Sequence, residues 1–204
     1  IYNYQELAPE LRALGHRFRT SSDTEVIVHA YEEWGEACVE RLRGMFAFAI
    51  WDQPRGKLFL ARDRLGIKPL CYWQTPERFC FASELQAFEE LDQPPRQIDL
   101  RAIDYYLELL YIPAPWSIFH GVRKLQPGHT LTVGADGSMT ERQYWKLQFH
   151  ADESVGEGEW IERLDAALAE AVRLHLIADV PVGSLLSSGL DSSLVTAYIA
   201  RERG

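Results

Sequence analysis

Residues 45–51 read Met-Phe-Ala-Phe-Ala-Ile-Trp, an unbroken apolar run that predicts a strand buried on both of its faces. Pro54 and Gly56 supply a turn after this run, and residues 57–62 form the second arm of a hairpin. Further strands are predicted at residues 69–73 and 78–82, and residues 129–133 and 139–145 form a second predicted hairpin around the turn at residues 135–138. This part of the chain is therefore rich in antiparallel strands.

Helices are predicted on either side of these strands. Leu7, Leu11 and Leu14 recur at helical spacing, and Ser22 or Asp23 is suited to cap a second helix. The predicted helices cover residues 4–15, 22–34, 38–42 and 98–111. Strands and helices in this order predict a sandwich of sheets flanked by helices.

The composition excludes several classes of protein. The chain has 204 residues, of which 47% are hydrophobic and 25% charged, as in ordinary globular proteins. Its formal net charge of −9 disfavours non-specific binding to nucleic acid, because an acidic chain repels phosphate backbones. No apolar run approaches the roughly 20 residues that span a bilayer. We expect neither a nucleic-acid partner nor a membrane span.

The cysteines and histidines show no ligand or disulfide pattern. Cys38, Cys71 and Cys80 form no C-x-x-C pair, and an odd, sparse set suits a reducing cytoplasm. The six histidines show no H-x-x-x-H spacing. The sequence pattern therefore predicts no metal site formed by these residues.

A second domain is predicted after a polar linker. Trp160, Leu164, Leu168, Val172 and Leu176 form one stripe of a helix over residues 157–177. Residues 180–186 predict a buried strand, and a further helix is expected from residue 192. The order helix, strand, loop, helix is typical of the start of a parallel α/β domain.

The loop at residues 187–193 reads Ser-Ser-Gly-Leu-Asp-Ser-Ser. It lies between the predicted strand and a helix, where small residues and free backbone N–H groups favour phosphate binding. No lysine follows, so this is not the P-loop of NTPases. The alternative interpretation is that Asp191 or Ser192 merely caps the helix.

The loop and its flanking residues resemble the S-G-G-L-D-S-S pyrophosphate loop of glutamine-dependent asparagine synthetases. Segments that resemble the glutaminase domain of the same family are residues 43–51, 60–70, 81–85, 113–115 and 121–129. The resemblance covers nearly the whole chain in the family's order. It implies an N-terminal-nucleophile-type α+β glutaminase fold, an αββα sandwich of antiparallel sheets, followed by the start of an α/β PP-loop synthetase domain.

The implied domains are a glutaminase domain over residues 1–146, a linker over 147–156 and the start of an ATP-binding domain over 157–204. In the family, the glutaminase nucleophile is an N-terminal cysteine beside an N-G-E-I-Y-N motif that supplies the oxyanion hole. Only Ile-Tyr-Asn of that motif is present, at residues 1–3. We therefore expect a chain truncated at both ends that contains no catalytic residue of this reaction.

Asp23 is the candidate glutamine-binding residue. The segment Ser-Asp-Thr-Glu at residues 22–25 resembles the family's S-D-T/C-E motif, whose aspartate holds the α-ammonium group of glutamine. A carboxylate is a suitable partner for that cation. The alternative role for Asp23 is a helix cap. We interpret the nearby charged run Arg62-Asp63-Arg64 as structural, ordering the loop before Gly66 rather than acting in catalysis.

The resemblance also implies the ATP-binding residues. These are Leu185, Ser187, Ser188, Gly189, Asp191, Ser192 and Ser193. Magnesium would accompany ATP, with Asp191 as a candidate ligand. Ser188 departs from the family, which usually has glycine there, and serine keeps a small volume while losing glycine's backbone freedom.

The implied reaction is ATP-dependent conversion of aspartate to asparagine through a β-aspartyl-adenylate, with ammonia from glutamine. The implied substrates are glutamine, aspartate and ATP, and the family often forms homodimers. Two alternatives stay open. One is a related enzyme with another acceptor, such as one that makes β-lactams or macrolactams. The other is a non-catalytic paralogue, which Ser188 favours.

Overall fold

The computed structural model describes residues 1–203. Its chain contacts separate into two compact units, one formed by Ile1 and Asn3–Leu147 and the other by Tyr2 and the residues from Gln148 onward.

Helices frame the first unit. Ser22 Oγ accepts a hydrogen bond from the Thr24 N–H at 3.2 Å, so Ser22 rather than Asp23 caps the second helix. Two short 3₁₀ segments occur at Gly35–Ala37 and Leu85–Glu90. The α-helices of this unit are α1 (Tyr4–Ala13), α2 (Asp23–Trp34), α3 (Cys38–Arg41) and α4 (Leu100–Leu109).

The strands form two antiparallel sheets. The first has four strands in the order β1-β2-β6-β7, and the second has three in the order β4-β3-β5. The strands are β1 (Ala47–Asp52), β2 (Lys57–Arg62), β3 (Cys71–Gln74), β4 (Phe79–Ala82), β5 (Val122–Lys124), β6 (His129–Gly134) and β7 (Met139–Gln143). Both predicted hairpins are confirmed, whereas β5 was missed because its three residues are too few to show a period.

Alternation along β2 builds the layers of the sandwich. Phe59 is buried in a core with residues of α1, α2 and α3. Leu60 is buried in a different core, together with Leu70 and with Tyr72 of strand β3 in the second sheet. Successive strand residues face opposite sides, so one strand serves a helix layer and a sheet layer. On the other face of the second sheet, Cys71 and Val122 pack with Phe88 of the 3₁₀ segment Leu85–Glu90. The predicted α+β sandwich of antiparallel sheets is confirmed.

The prediction for residues 45–51 needs a correction. These residues do form a strand, but β1 is not buried on both faces. It is an edge strand of the four-stranded sheet, and the Trp51 side chain is 58% exposed. Phe48 and Ile50 pack on one core and Ala47 and Ala49 on the other. However, a strand at the edge of the sheet is shielded by a neighbour on one side only, so its side chains stay partly exposed.

The second unit contains two helices, α5 (Glu157–His175) and α6 (Leu190–Arg203). Tyr198 Oη donates to Asp165 Oδ1 at 2.7 Å and joins them. The buried strand predicted at residues 180–186 is wrong: this segment has no regular secondary structure and is mostly exposed. A strand requires a partner for its backbone groups, and the described part of this unit contains no other strand.

Across residues 1–203, no helix combines the length and the apolar character that crossing a bilayer requires.

Candidate functional site

An open cleft of about 430 Å³ lies in the first unit between the start of α2 and strand β1. This volume is within the usual range for sites that bind small molecules. Its walls are mainly apolar, and its few polar groups come from Asp23, Thr24, Lys68 and Ser83. A largely apolar cleft with a few placed polar groups is suited to orient a small polar ligand.

Asp23 provides the negative charge of the cleft. Because Ser22 makes the cap hydrogen bond, the Asp23 carboxylate is not used as the cap. Its Oδ2 atom accepts a hydrogen bond from the Ile1 nitrogen, and both residues line the cleft. A carboxylate placed here is a suitable partner for the ammonium group of a ligand.

Glu25 fixes the turn that precedes Asp23. Its carboxylate accepts from the N–H of Arg19 at 2.7 Å, from the N–H of Thr20 at 2.6 Å and from the Thr20 hydroxyl at 2.5 Å. The hydroxyl and then the backbone hydrogen bonds favour the ionised form and lower the pKa of Glu25 to about 2. The turn and the first residues of α2 are thereby tied together.

Asp63 orders the loop that carries Lys68 to the cleft. Its carboxylate is buried and accepts from the N–H groups of Leu65 at 3.2 Å, Ile67 at 2.9 Å and Lys68 at 2.9 Å. The loop that presents Lys68 to the cleft is wound around this one side chain. Gly66 has a φ of +67°, which a glycine adopts without strain, within that loop.

Arg62 completes the same loop. Its guanidinium donates to the carbonyl oxygens of Lys68 at 2.8 Å, Gly66 at 2.8 Å and Leu125 at 2.5 Å. Burial disfavours the cation and lowers the pKa of Arg62 from its ordinary value. The structural interpretation of Arg62 and Asp63 is confirmed. The sequence did not reveal which amides Asp63 would bind, because those partners depend on how the loop closes.

No cysteine within residues 1–203 lines the cleft. Cys38 is fully buried, and burial raises its pKa to about 12. Burial also raises the pKa of Cys71. A buried thiol stays protonated at neutral pH and is a poor nucleophile. The described residues therefore include no thiol placed to attack a ligand in this cleft.

Serine hydroxyls converge in the loop before α6. Ser187 Oγ lies 2.7 Å from Ser192 Oγ and accepts from the Gly189 N–H at 3.2 Å. Ser193 Oγ donates to the Gly189 carbonyl at 2.9 Å. A Cβ atom at Gly189 would lie 3.3 Å from Ser187 Oγ, so glycine leaves room for this turn. The structure thus brings Ser187, Gly189, Ser192 and Ser193 together.

The other predicted loop residues are placed differently. α6 begins at Leu190, so Asp191 and Ser192 lie in its first turn rather than at the cap. Asp191 and Ser188 are exposed, and Leu185 is 97% exposed in the irregular segment that precedes the loop. The hydroxyls and the first N–H groups of α6 are donors that fit phosphate oxygens. An exposed carboxylate at Asp191 fits a magnesium ion held mainly by phosphates and water.

Stacked antiparallel sheets between helical layers, with a cleft at the start of α2, define the N-terminal-nucleophile class of α+β sandwich. Two solved structures share this fold. One is the allosteric regulatory enzyme of purine biosynthesis, with a TM-score of 0.51 and 23% identity over 71% of this chain and 27% of that one. The other is the B. subtilis glutamine phosphoribosylpyrophosphate amidotransferase, with a TM-score of 0.52 and 18% identity over 98% of this chain and 42% of that one.

Residues 1–145 match the family model described as glutamine amidotransferase domain, and the chain belongs to this family. Residues 163–204 match the model described as asparagine synthase.

Curated relatives agree with both matches. Asparagine synthetase [glutamine-hydrolyzing] 3 of Bacillus subtilis is 40% identical over 203 residues, covering 98% of this chain and 32% of the relative. Asparagine synthetase [glutamine-hydrolyzing] 1 of the same organism is 39% identical over 202 residues, covering 99% of this chain and 32% of the relative. Amidase chry2 of Gibberella zeae is 33% identical over 205 residues, covering 98% and 30%. The chain spans about a third of the length of these relatives.

Proposed function

We propose that this chain is part of a glutamine-dependent asparagine synthetase, and that its first unit binds glutamine. The two family models match in the order that this enzyme requires, and the relatives named asparagine synthetase are similar along almost the whole chain. The observation that carries the glutamine assignment is the Asp23 carboxylate, which lines the cleft at the start of α2 and is not used as the helix cap.

Glutamine would enter the cleft with its α-ammonium group at Asp23 and its side chain along the apolar wall of β1. Asp23 begins α2, where the positive end of the helix dipole attracts negative charge. Residues 1–204 supply binding and orientation in this proposal. In this proposal the nucleophile and the oxyanion donors come from outside this range, as the resemblance to the family implies.

The loop before α6 would bind the phosphates of ATP. The backbone N–H groups at the start of α6 and the hydroxyls of Ser187, Ser192 and Ser193 are the donors, and Asp191 is the candidate magnesium ligand. Magnesium would offset the charge of the phosphates. We propose that ATP activates the β-carboxylate of aspartate as an adenylate, that pyrophosphate leaves at this loop, and that ammonia then forms the amide.

A second candidate function is amide formation on another acceptor. This candidate is supported by the similarity to Amidase chry2, a relative that is not named asparagine synthetase and that matches 98% of this chain. The test incubates the longer protein with glutamine, ATP and aspartate and measures asparagine, AMP and pyrophosphate. Equal amounts of all three products are expected. Pyrophosphate release with other carboxylates but not with aspartate would support the second candidate and contradict asparagine synthesis.

A protein of residues 1–204 is expected to release no glutamate from glutamine. The reason is that the buried thiols of Cys38 and Cys71 are protonated and lie outside the cleft. The measurement is glutamate formation over hours against a buffer blank, with a Cys80→Ser variant as control for the less buried third thiol. Turnover above the blank that Cys80→Ser abolishes would place the nucleophile within this chain and contradict the proposal.

In the longer enzyme, Ser192→Ala is expected to slow ATP–pyrophosphate exchange about ten- to a hundred-fold. Loss of a hydrogen bond to a charged group costs roughly 1.5–3 kcal/mol, at about 1.4 kcal/mol per tenfold change in rate. Asp191→Ala is expected to act in the same direction. Glutamine hydrolysis should stay nearly unchanged, because the loop would contact only the phosphates. A loss of both activities in Ser192→Ala would indicate misfolding instead.

Ser188→Gly separates an enzyme from a non-catalytic paralogue in the same exchange assay. If the parent protein is active, the substitution should change exchange little, because glycine keeps the loop's small volume. Exchange that appears only in the Ser188→Gly protein would show that the parent is a paralogue. Absence of ATP binding in both proteins would count against the phosphate loop itself.

A further inference from the structure

Two histidine rings face each other where α1 is followed by α2. His16 comes directly after Gly15, whose φ of +102° ends α1, and the His16 N–H donates to the Leu11 carbonyl at 3.0 Å. His29 lies in the middle of α2. The Nδ1 atoms of the two rings are 3.2 Å apart, and both side chains are 15% exposed.

The outer nitrogen of the His16 ring faces a carboxylate, since His16 Nε2 lies 3.0 Å from Glu33 Oε2. A carboxylate beside Nε2 favours the tautomer with its proton on Nε2, as occurs behind metal-bound histidines, and leaves a lone pair on His16 Nδ1. His29 Nε2 lies 3.6 Å from Glu25 Oε1 and has no hydrogen-bond partner among the described residues. His29 Nδ1 lies 2.7 Å from the Glu32 carboxylate, so a cation bound there would displace the proton that joins these two groups.

Glu32 supplies a third ligand atom. Its Oε2 atom lies 2.7 Å from His29 Nδ1 and 3.5 Å from His16 Nδ1. Atoms that bind one tetrahedral zinc ion at about 2.0–2.2 Å lie about 3.3–3.6 Å apart. The distance between the two Nδ1 atoms, 3.2 Å, and the distance from Glu32 Oε2 to His16 Nδ1, 3.5 Å, are already near this range. The Glu32 side chain is 54% exposed and can rotate outward to widen the third separation.

We propose that Nδ1 of His16, Nδ1 of His29 and a carboxylate oxygen of Glu32 bind a Zn²⁺ ion. Imidazole and carboxylate are ordinary zinc ligands, and the exposed side of Glu32 leaves the fourth position to water. Glu33 serves as the outer carboxylate that orients the His16 ring. The sequence signal was His29-x-x-Glu32 on one helical face, with His16 added only by the fold.

The zinc ion would fasten the end of α1 to α2. Helix α2 begins at Asp23, and its residues Asp23, Ile27 and Val28 line the cleft. The ion would therefore stabilise the helix that positions the ammonium-binding carboxylate. This site stands independently of the glutamine proposal, because none of its three ligands lines the cleft.

The first test is calorimetric titration of ZnCl₂ into the 204-residue protein after treatment with EDTA and dialysis. One ion per chain is expected to bind. Glu32→Gln, an exposed change that leaves the packing intact, and His29→Gln should each weaken binding at least about tenfold. The matched control is His150→Gln, since His150 is exposed in the second unit and its replacement should leave zinc affinity unchanged.

The second test distinguishes the ligand atoms by replacing zinc with Co²⁺. Visible bands of a four-coordinate ion without thiolate-to-cobalt charge transfer are expected, and these should be lost in His29→Gln. Thiolate bands would assign the metal to cysteines and overturn the proposal. Unchanged affinity in Glu32→Gln, or no saturable binding at all, would also overturn it and leave a proton as the bridge between the two rings.

Discussion

Asp63→Ala is expected to lower the free energy of unfolding of the first unit by about 3–5 kcal/mol. The carboxylate is 1% exposed and accepts from three backbone N–H groups, at Leu65, Ile67 and Lys68. Each donor left without a partner in a buried site costs roughly 1–3 kcal/mol, and partial relaxation of the loop keeps the total below the full sum. Urea unfolding followed by tryptophan fluorescence measures the change.

The matched control is Asp92→Ala, which removes an exposed aspartate from a loop. It should change the free energy of unfolding by no more than about 0.5 kcal/mol. Asp63→Asn should lower the free energy of unfolding by an intermediate amount, because the amide oxygen keeps one acceptor while the amide NH₂ group introduces a buried donor. If Asp63→Ala costs less than about 1 kcal/mol, the loop does not depend on this side chain.

In the longer enzyme, Asp23→Asn is expected to raise the KM for glutamine about 30- to 150-fold, which corresponds to about 2–3 kcal/mol. The substitution removes the charge that pairs with the substrate's α-ammonium. The Asp23 side chain is 41% exposed, so solvent screens its attraction to the ammonium group of glutamine. The loss of affinity should therefore lie at the lower end of the range for buried charge pairs. Asparagine synthesis from added ammonia should be unchanged.

Glu6→Gln is the matched control for Asp23→Asn, because Glu6 is an exposed acidic residue in the first turn of α1. It should leave both activities as in the parent enzyme. A glutamine analogue that lacks the α-amino group provides a further control, since it should bind the parent enzyme and the Asp23→Asn variant with similar affinity. Equal loss of glutamine- and ammonia-dependent synthesis in Asp23→Asn would indicate a role in folding.

Local pattern was sufficient for most of the fold. The spacing of Leu7 and Leu11 placed α1, and both residues are buried in the structure. The turn at Pro54 and Gly56 placed the hairpin of β1 and β2, whose register pairs Asp52 with Lys57. These features depend on neighbours a few residues away, so periodicity and turn chemistry determine them. The Ser22 cap was likewise one of two local possibilities, and the structure selected it.

The sequence by itself determined most of the helices and strands, the two hairpins and the candidate residues Asp23 and 187–193. Only the tertiary structure decided that Asp63 binds the amides of its own loop and that His16 meets His29. Residues 180–186 form no strand, against their apolar pattern, because the described residues of the second unit offer them no partner strand. The physical reason is the same in each case. A buried carboxylate, a ligand cluster and a strand all require partners from elsewhere in the chain, and local periodicity carries no information about those partners.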